Sequence, residues 1–191
     1  MGVDPGTLVT GYGIIQFKKG KIKILKSDAI VCKSSSKLSD RLGLIFKTLD
    51  QVIRKYHPEE IAIETAYYGK NAQSALKLGH ARGAVMLAGF INSIPMSEYS
   101  PREVKKAVTG NGAASKFQVM KMVKSILSLK NIPKYYDTTD ALAVVLCHTY
   151  RNFLFSDVLL NRVSDSKRII HKSPRYKDWK DFVKQNTNVK I

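Results

Sequence analysis

"MGVDPGTLVTGYGII", residues 1–15, sets a lone carboxylate, Asp4, between a short apolar start and a Pro-Gly turn, with a β-rich run behind it. A charge at the end of a buried strand is costly unless something pairs with it. "EIAIE", residues 60–64, repeats the arrangement, a short apolar strand ending in Glu64. If the two strands are parallel neighbours, their carboxylates emerge side by side at the sheet edge where open α/β folds place their ligands. That pairing decides which fold the rest of the chain must build.

Residues 8–17 and 21–32 are β-rich runs on either side of "KKGK", a hairpin signal with Gly20 free to take a positive φ. From Leu38 the apolar residues fall at 38, 42, 45, 49 and 52, which predicts an amphipathic helix to about Tyr56, closed by His57-Pro58. Residues 71–91 read as a helix carrying Gly79 and Gly83 one turn apart. Each glycine costs about 1 kcal/mol relative to alanine. They serve either tight packing on the molecule's own sheet or a helix–helix contact across a dimer axis. Residues 94–100 predict a fifth strand, 115–127 a helix capped by Ser115, and 137–153 an apolar helix. Strands alternating with helices after an initial hairpin predict a mixed, five-stranded α/β sheet flanked by helices.

At 191 residues the chain suits one domain with a full core, here 1–150, followed by a basic extension over 151–191 that holds ten Lys and Arg against four Asp. No apolar run is long enough for a bilayer and no signal-peptide pattern opens the chain. Cys32 and Cys147 lack metal-ligand spacing and read as buried, reduced thiols, so the expected location is the cytoplasm. Thirty-two Lys and Arg against fifteen Asp and Glu leave +17, which calls for a polyanionic partner. Nucleic acid is the first expectation; an anionic membrane or an acidic protein are the others.

Asp137 and Asp140 stand three apart at the start of a helix, hence on one face. By themselves they could be a cap and a first-turn acid, and Asp4 could be a turn residue. Glu64 has no such local explanation. Four carboxylates in one crevice repel each other. Mg²⁺, a hard cation held by carboxylates, water and substrate phosphate, resolves the repulsion. "VTGNGAASK", residues 108–116, is either a phosphate site at a helix N-terminus or an ordinary loop. The histidines, at 57, 80, 148 and 171, lack ligand spacing and receive no role.

"GVDPGTLVTGYGII", "IAIETAYYGKNAQSALKLGHARG", "EYSPREVKKAVTGNGAASKFQV" and "DTTDALAVVLCH" resemble, in order and spacing, the four signature blocks of the RuvC Holliday-junction resolvases, through almost all of residues 2–149. The resemblance implies a ribonuclease-H-like fold, a homodimer, two Mg²⁺ ions per site with Mn²⁺ as substitute, and paired symmetric nicks in four-way DNA junctions. The implied products carry 5′-phosphate and 3′-hydroxyl ends. Work beside the branch-migration proteins RuvA and RuvB is implied as well. It makes Asp4, Glu64, Asp137 and Asp140 the metal-binding catalytic tetrad, Lys105 and Lys116 the basic residues near it, and Tyr67 the aromatic that packs on junction bases. Thr65 departs from the Gln often found after the catalytic Glu. Relatives also carry several residues before the Asp4 motif that complete the first strand, so an upstream start is expected.

Two other functions fit parts of the pattern. "DPGT" resembles the phosphate loop of actin-like and sugar-kinase ATPases, but those need two lobes and a second Asp-Gly loop. A non-catalytic basic nucleic-acid-binding protein remains if the short first strand misplaces Asp4.

Overall fold

The computed structural model describes residues 1–18, 21–65, 72–131 and 133–164, with side chains to residue 152. Five strands form one sheet: β1 (Gly2–Asp4), β2 (Val9–Lys18), β3 (Lys21–Val31), β4 (Ile61–Glu64) and β5 (Met96–Tyr99). Five helices flank it: α1 (Leu38–Tyr56), α2 (Ala72–Ile91), α3 (Pro101–Thr109), α4 (Lys116–Ile126) and α5 (Tyr136–Ser164). The strand order is β3-β2-β1-β4-β5. β1 lies antiparallel to β2 and parallel to β4, and β4 lies parallel to β5. The mixed five-stranded sheet is the one expected; the hairpin turn at Gly20 lies outside the described residues.

Strand alternation assigns the two faces. Val3, Ile61 and Ile63 point to one side, where Ile45, Leu49 and Ile53 of α1 and Val85 and Ala88 of α2 cover them. Each of those large side chains contributes roughly 1.5–3 kcal/mol by leaving water. Ala62 points to the other side, beneath α3, α4 and α5, which supply Val104, Val108, Val123, Leu142 and Leu146. Period-2 geometry therefore puts Asp4 and Glu64 on the α5 side as well.

α5 can lie almost on the sheet because the strand residues under it are glycines. Gly2 pairs with Gly13, and Asp4 with Gly11, across β1 and β2. A Cβ at Gly11 would overlap the Asp137 carbonyl oxygen, and one at Gly2 the Ala141 carbonyl oxygen. Any side chain at either place would lift the start of α5 off the strand that carries Asp4.

α1 closes as expected: His57 takes a left-handed φ of 46° and its N–H donates to the Ile53 carbonyl. α3 was not expected. It carries its own signals, Pro101 in the first turn and a capping box between Ser100 and Glu103, and it ends at Gly110 with φ 75°. α5 runs past its expected end at 153 to Ser164, so residue 151, the expected start of the extension, falls within a helix. In α2, Ala81, Val85, Ala88 and Gly89 are buried on the sheet side. Among the described residues nothing lies within 4 Å of a Cβ placed at Gly79 or Gly83. The explanation of those glycines as close packing on the molecule's own sheet is thereby excluded.

Candidate active site

Asp4 closes β1 and Glu64 closes β4, two parallel neighbours whose register sets Val3 beside Ile63. The Asp4 and Glu64 carboxyls share a hydrogen bond. Asp137 and Asp140, in the first turns of α5, reach the same place: both raise the proton affinity of Asp4 through their charge. Burial is the largest cause of that rise, and Glu64 the next. Asp4 is therefore held far above the usual carboxylate range, with Glu64 as the acceptor of its proton. Glu64 is itself raised, by burial first and by Asp140, while the cationic Lys116 and Lys105 pull it down. Asp140 follows the same pattern: burial raises it and Lys116 opposes.

Lys116, the first residue of α4, sets its Nζ 3.6 Å from Asp140 Oδ2. Asp140 raises the proton affinity of that ammonium, so it stays charged. Lys105 sits half-buried on α3, within electrostatic reach of both Glu64 and Asp140. The six predicted residues Asp4, Glu64, Asp137, Asp140, Lys105 and Lys116 thus gather at one end of the sheet. Tyr67 lies outside the described residues. Asp4 is not misplaced by the shortness of β1, which was the condition for the non-catalytic alternative.

A shared proton compensates Asp4 against Glu64, and an ammonium compensates Asp140. A divalent cation is a third way to do the same, and an all-oxygen carboxylate set suits a hard one. Among the described residues no group of three or more His, Cys, Asp or Glu side chains is arranged so as to hold a metal ion. The donor chemistry of the four carboxylates fits such an ion.

A cleft of about 160 Å³ opens between Asp4, Glu64, Thr65, Leu78 and Arg82. Arg82 was not singled out in the sequence. Its Nη2 donates to both Glu98 carboxylate oxygens on β5, at 2.6 and 2.7 Å, which anchors it in the lining of the same cleft. Its signal was a cation in a helix that packs on the strand of Glu64. Thr65, the departure from Gln, spends both its N–H and its hydroxyl on the Tyr99 carbonyl, at 2.8 and 3.3 Å. In the 108–116 loop Asn111 accepts from the Ala113 N–H, and Ser115 and Gln118 cap each other at the start of α4.

His148, given no role in the sequence, is buried and ties three elements together. The Tyr99 hydroxyl lies 2.7 Å from its Nδ1, and Glu60 Oε2 2.7 Å from its Nε2. The chain of contacts fixes α5 against β5 and the start of β4, two turns beyond Asp140. Burial lowers the proton affinity of the ring, against the pull of Glu60. Cys32 and Cys147 are buried and free, as expected.

The strand order and the carboxylates at the ends of two parallel central strands define the class: a ribonuclease-H-like α/β protein with an acidic site at the sheet edge. The family model for crossover junction endodeoxyribonuclease RuvC matches residues 1–148. Similar proteins include the crossover junction endodeoxyribonuclease RuvC of Chlorobium chlorochromatii, 42% identical over all of this chain and 97% of that protein. That of Ruminiclostridium cellulolyticum is 45% identical over 148 residues, 78% of this chain and 89% of that protein. Among solved structures, Thermus thermophilus RuvC in complex with Holliday junction substrate superposes with a TM-score of 0.76 at 32% identity, over 81% of this chain and 94% of that one. The chain belongs to the crossover junction endodeoxyribonuclease RuvC family. The Chlorobium alignment runs through residues 151–191. The C-terminal segment is therefore not peculiar to this chain, although the resemblance seen in the sequence stopped at 149.

Proposed function

We propose that this protein resolves four-way DNA junctions by paired, symmetric nicks in homologous recombination and DNA repair, acting in the cytoplasm beside the branch-migration proteins RuvA and RuvB. The observation that carries the reading is the convergence of Asp4, Glu64, Asp137 and Asp140 at the ends of β1, β4 and α5. A family resemblance explains which substrate; the crowded carboxylates explain why this end of the sheet does the cutting.

The four carboxylates Asp4, Glu64, Asp137 and Asp140 would hold two Mg²⁺, with Mn²⁺ as substitute. When bound, such ions activate water and stabilise the leaving 3′ oxygen of a phosphodiester. Asp4, which holds a proton against Glu64 without such an ion, would be a ligand in its ionised form, with Glu64, Asp137 and Asp140 as further oxygen donors. Lys116 and Lys105 place positive charge where the scissile phosphate gathers negative charge, and cations fixed before reaction need no reorganisation. Arg82, held by Glu98, adds positive charge to the lining of the cleft. Tyr67, just past Glu64, stacks on a base at the crossover. The ends left are 5′-phosphate and 3′-hydroxyl.

The working form is a homodimer. A junction has two strands of like polarity to cut, and a twofold dimer presents two identical sites. Support comes from α2, where Leu76, Leu87 and Phe90 are exposed along the side that carries the open positions Gly79 and Gly83. The basic segment 151–191 adds sequence-independent affinity for DNA and no chemistry.

The test is substitution. Asp4→Asn, Glu64→Gln and Asp140→Asn each reduce nicking of a synthetic junction by about 100-fold or more, the loss typical of one preorganised electrostatic contact. Junction binding, carried by the lysines and arginines, persists. Any of the three variants cutting at near wild-type rate with Mg²⁺ contradicts the assignment.

A further inference from the structure

Three aromatic side chains stand out among the exposed large hydrophobics of the described residues: Phe90, Phe117 and Tyr136. Phe90 belongs to the open side of α2. The other two are the sequence neighbours of site residues. Phe117 follows Lys116, and Tyr136 precedes Asp137. Their exposures are 57% and 60%.

Neither ring is needed by the core. α4 is anchored through Val119, Met120 and Val123 on its buried face, while Phe117 and Lys121 lie one turn apart on its outer face. The Lys121 ammonium sits 4.5 Å from the centroid of the Phe117 ring. A cation over a ring is worth about 0.5–1 kcal/mol when exposed, enough to bias the ring's orientation without burying it. The ring is thus covered on one face by its own lysine and carried on a helix whose first turn is locked by the Ser115–Gln118 capping box. Lys116, whose ammonium reaches Asp140, fixes the distance from that turn to the carboxylates. On the α5 side, Tyr136 opens the helix that brings Asp137 in.

We propose that Phe117 and Tyr136 form an aromatic rim on which nucleobases flanking the scissile phosphate stack. This rests on the reading of the carboxylate site as one that cuts DNA. The occupant follows from charge and shape. A chain of +17 attracts a polyanion, and lysines at 116, 121 and 124 edge the same helix. Aromatic faces among such cations suit unpaired or splayed bases, which every nucleotide can offer whatever its identity. The lysines take the phosphates and the rings take the bases. The rim holds the strand at the cut and leaves the chemistry to the carboxylates.

The experiment uses full-length protein carrying Asp4→Asn and a four-way junction with 2-aminopurine on either side of the scissile phosphate. Binding quenches the probe while Phe117 is present. Adding Phe117→Ala abolishes the quench and weakens junction affinity by about 5- to 150-fold, the range of one base–aromatic stack. The dependence of affinity on salt keeps its slope, because no phosphate contact is lost. Phe117→Trp keeps the quench, which separates loss of stacking from a folding defect. A quench and an affinity within twofold of the parent in Phe117→Ala protein overturn the proposal, as does full rescue by Phe117→Leu, which would make the contact merely apolar. Wild-type nicking on the same junction reports on the parent reading separately. Nicking with a probe that never responds overturns the rim alone, whereas no nicking and no junction binding overturn both.

Discussion

Asp4 sits where a carboxylate is least welcome, half-buried at a strand end beside Glu64 and within reach of two further acids. Its raised proton affinity has a definite consequence for stability. A carboxyl that holds its proton more tightly folded than unfolded costs nothing below its ordinary value of 3.8. Above that the unfolded chain ionises while the folded site resists, so the fold loses stability as pH rises from about 4 through neutrality. Without divalent ions, Asp4→Asn protein therefore melts higher than wild type at pH 7, by on the order of 2–4 °C for each kcal/mol that keeping this proton costs the wild-type fold. Mg²⁺ raises the wild-type melting temperature and closes that gap. Calorimetry with and without Mg²⁺ checks it; a lower melting temperature for Asp4→Asn in metal-free buffer counts against the crowding. Glu64 was legible in the sequence because an acid that ends a buried strand has no local explanation, and Asp4, which could have been a turn residue, became legible beside it. Gly11 was not, since the group it must clear is the backbone carbonyl of Asp137, far along the chain. His148 was hidden for the same reason: its partners Tyr99 and Glu60 come from other elements.

Apolar patterning marked α1, α2, α4 and the strands to within a few residues, because each buries one face or one side, and marked the start of α5 but not its end, which lies at Ser164 and not at 153. α3 escaped, although Ser100, Pro101 and Glu103 spell a helix start. Its nine residues bury only Val104 and Val108, too few for a visible period, and its cap Ser100 falls at the end of the expected fifth strand. α2 shows the opposite limit. Its sheet side is plain, but the meaning of Gly79 and Gly83 depended on what lies over them, which only the packing decides. If that open side meets a second copy, a bulky residue there must push the copies apart. Gly83→Leu is expected to shift the protein from dimer toward monomer in sedimentation at micromolar concentration and to uncouple the two nicks. Because nothing described lies over Gly83, its melting temperature as a monomer should hold or rise, glycine being the poorer helix former by about 1 kcal/mol. A wild-type protein that sediments as a monomer, with or without junction, contradicts the dimer.

Across the molecule, the sheet order and an uneven charge do different jobs. The sheet brings acids from three distant segments to one edge, while the excess of lysine and arginine draws in the substrate those acids would otherwise repel. Residues 165–191 hold eight Lys and Arg against three Asp. Each phosphate neutralised contributes about −0.9 to the slope of log K against log salt, so a chain ending at Ser164 is expected to bind DNA with a slope flatter by about two or three units, and still to nick junctions at low salt. An unchanged slope with a lower melting temperature would make the segment a packing element instead. The central claim is that the carboxylate edge cuts four-way junctions with a divalent cation. One measurement meets it most directly: wild-type protein incubated with a labelled synthetic four-way junction and, separately, with linear duplex of the same sequences, each with Mg²⁺ and with chelator. The account predicts symmetric paired nicks in the junction with Mg²⁺, ligatable ends, no cutting with chelator and little in the duplex. Cutting that ignores the chelator, or junction and duplex cut alike, would contradict it.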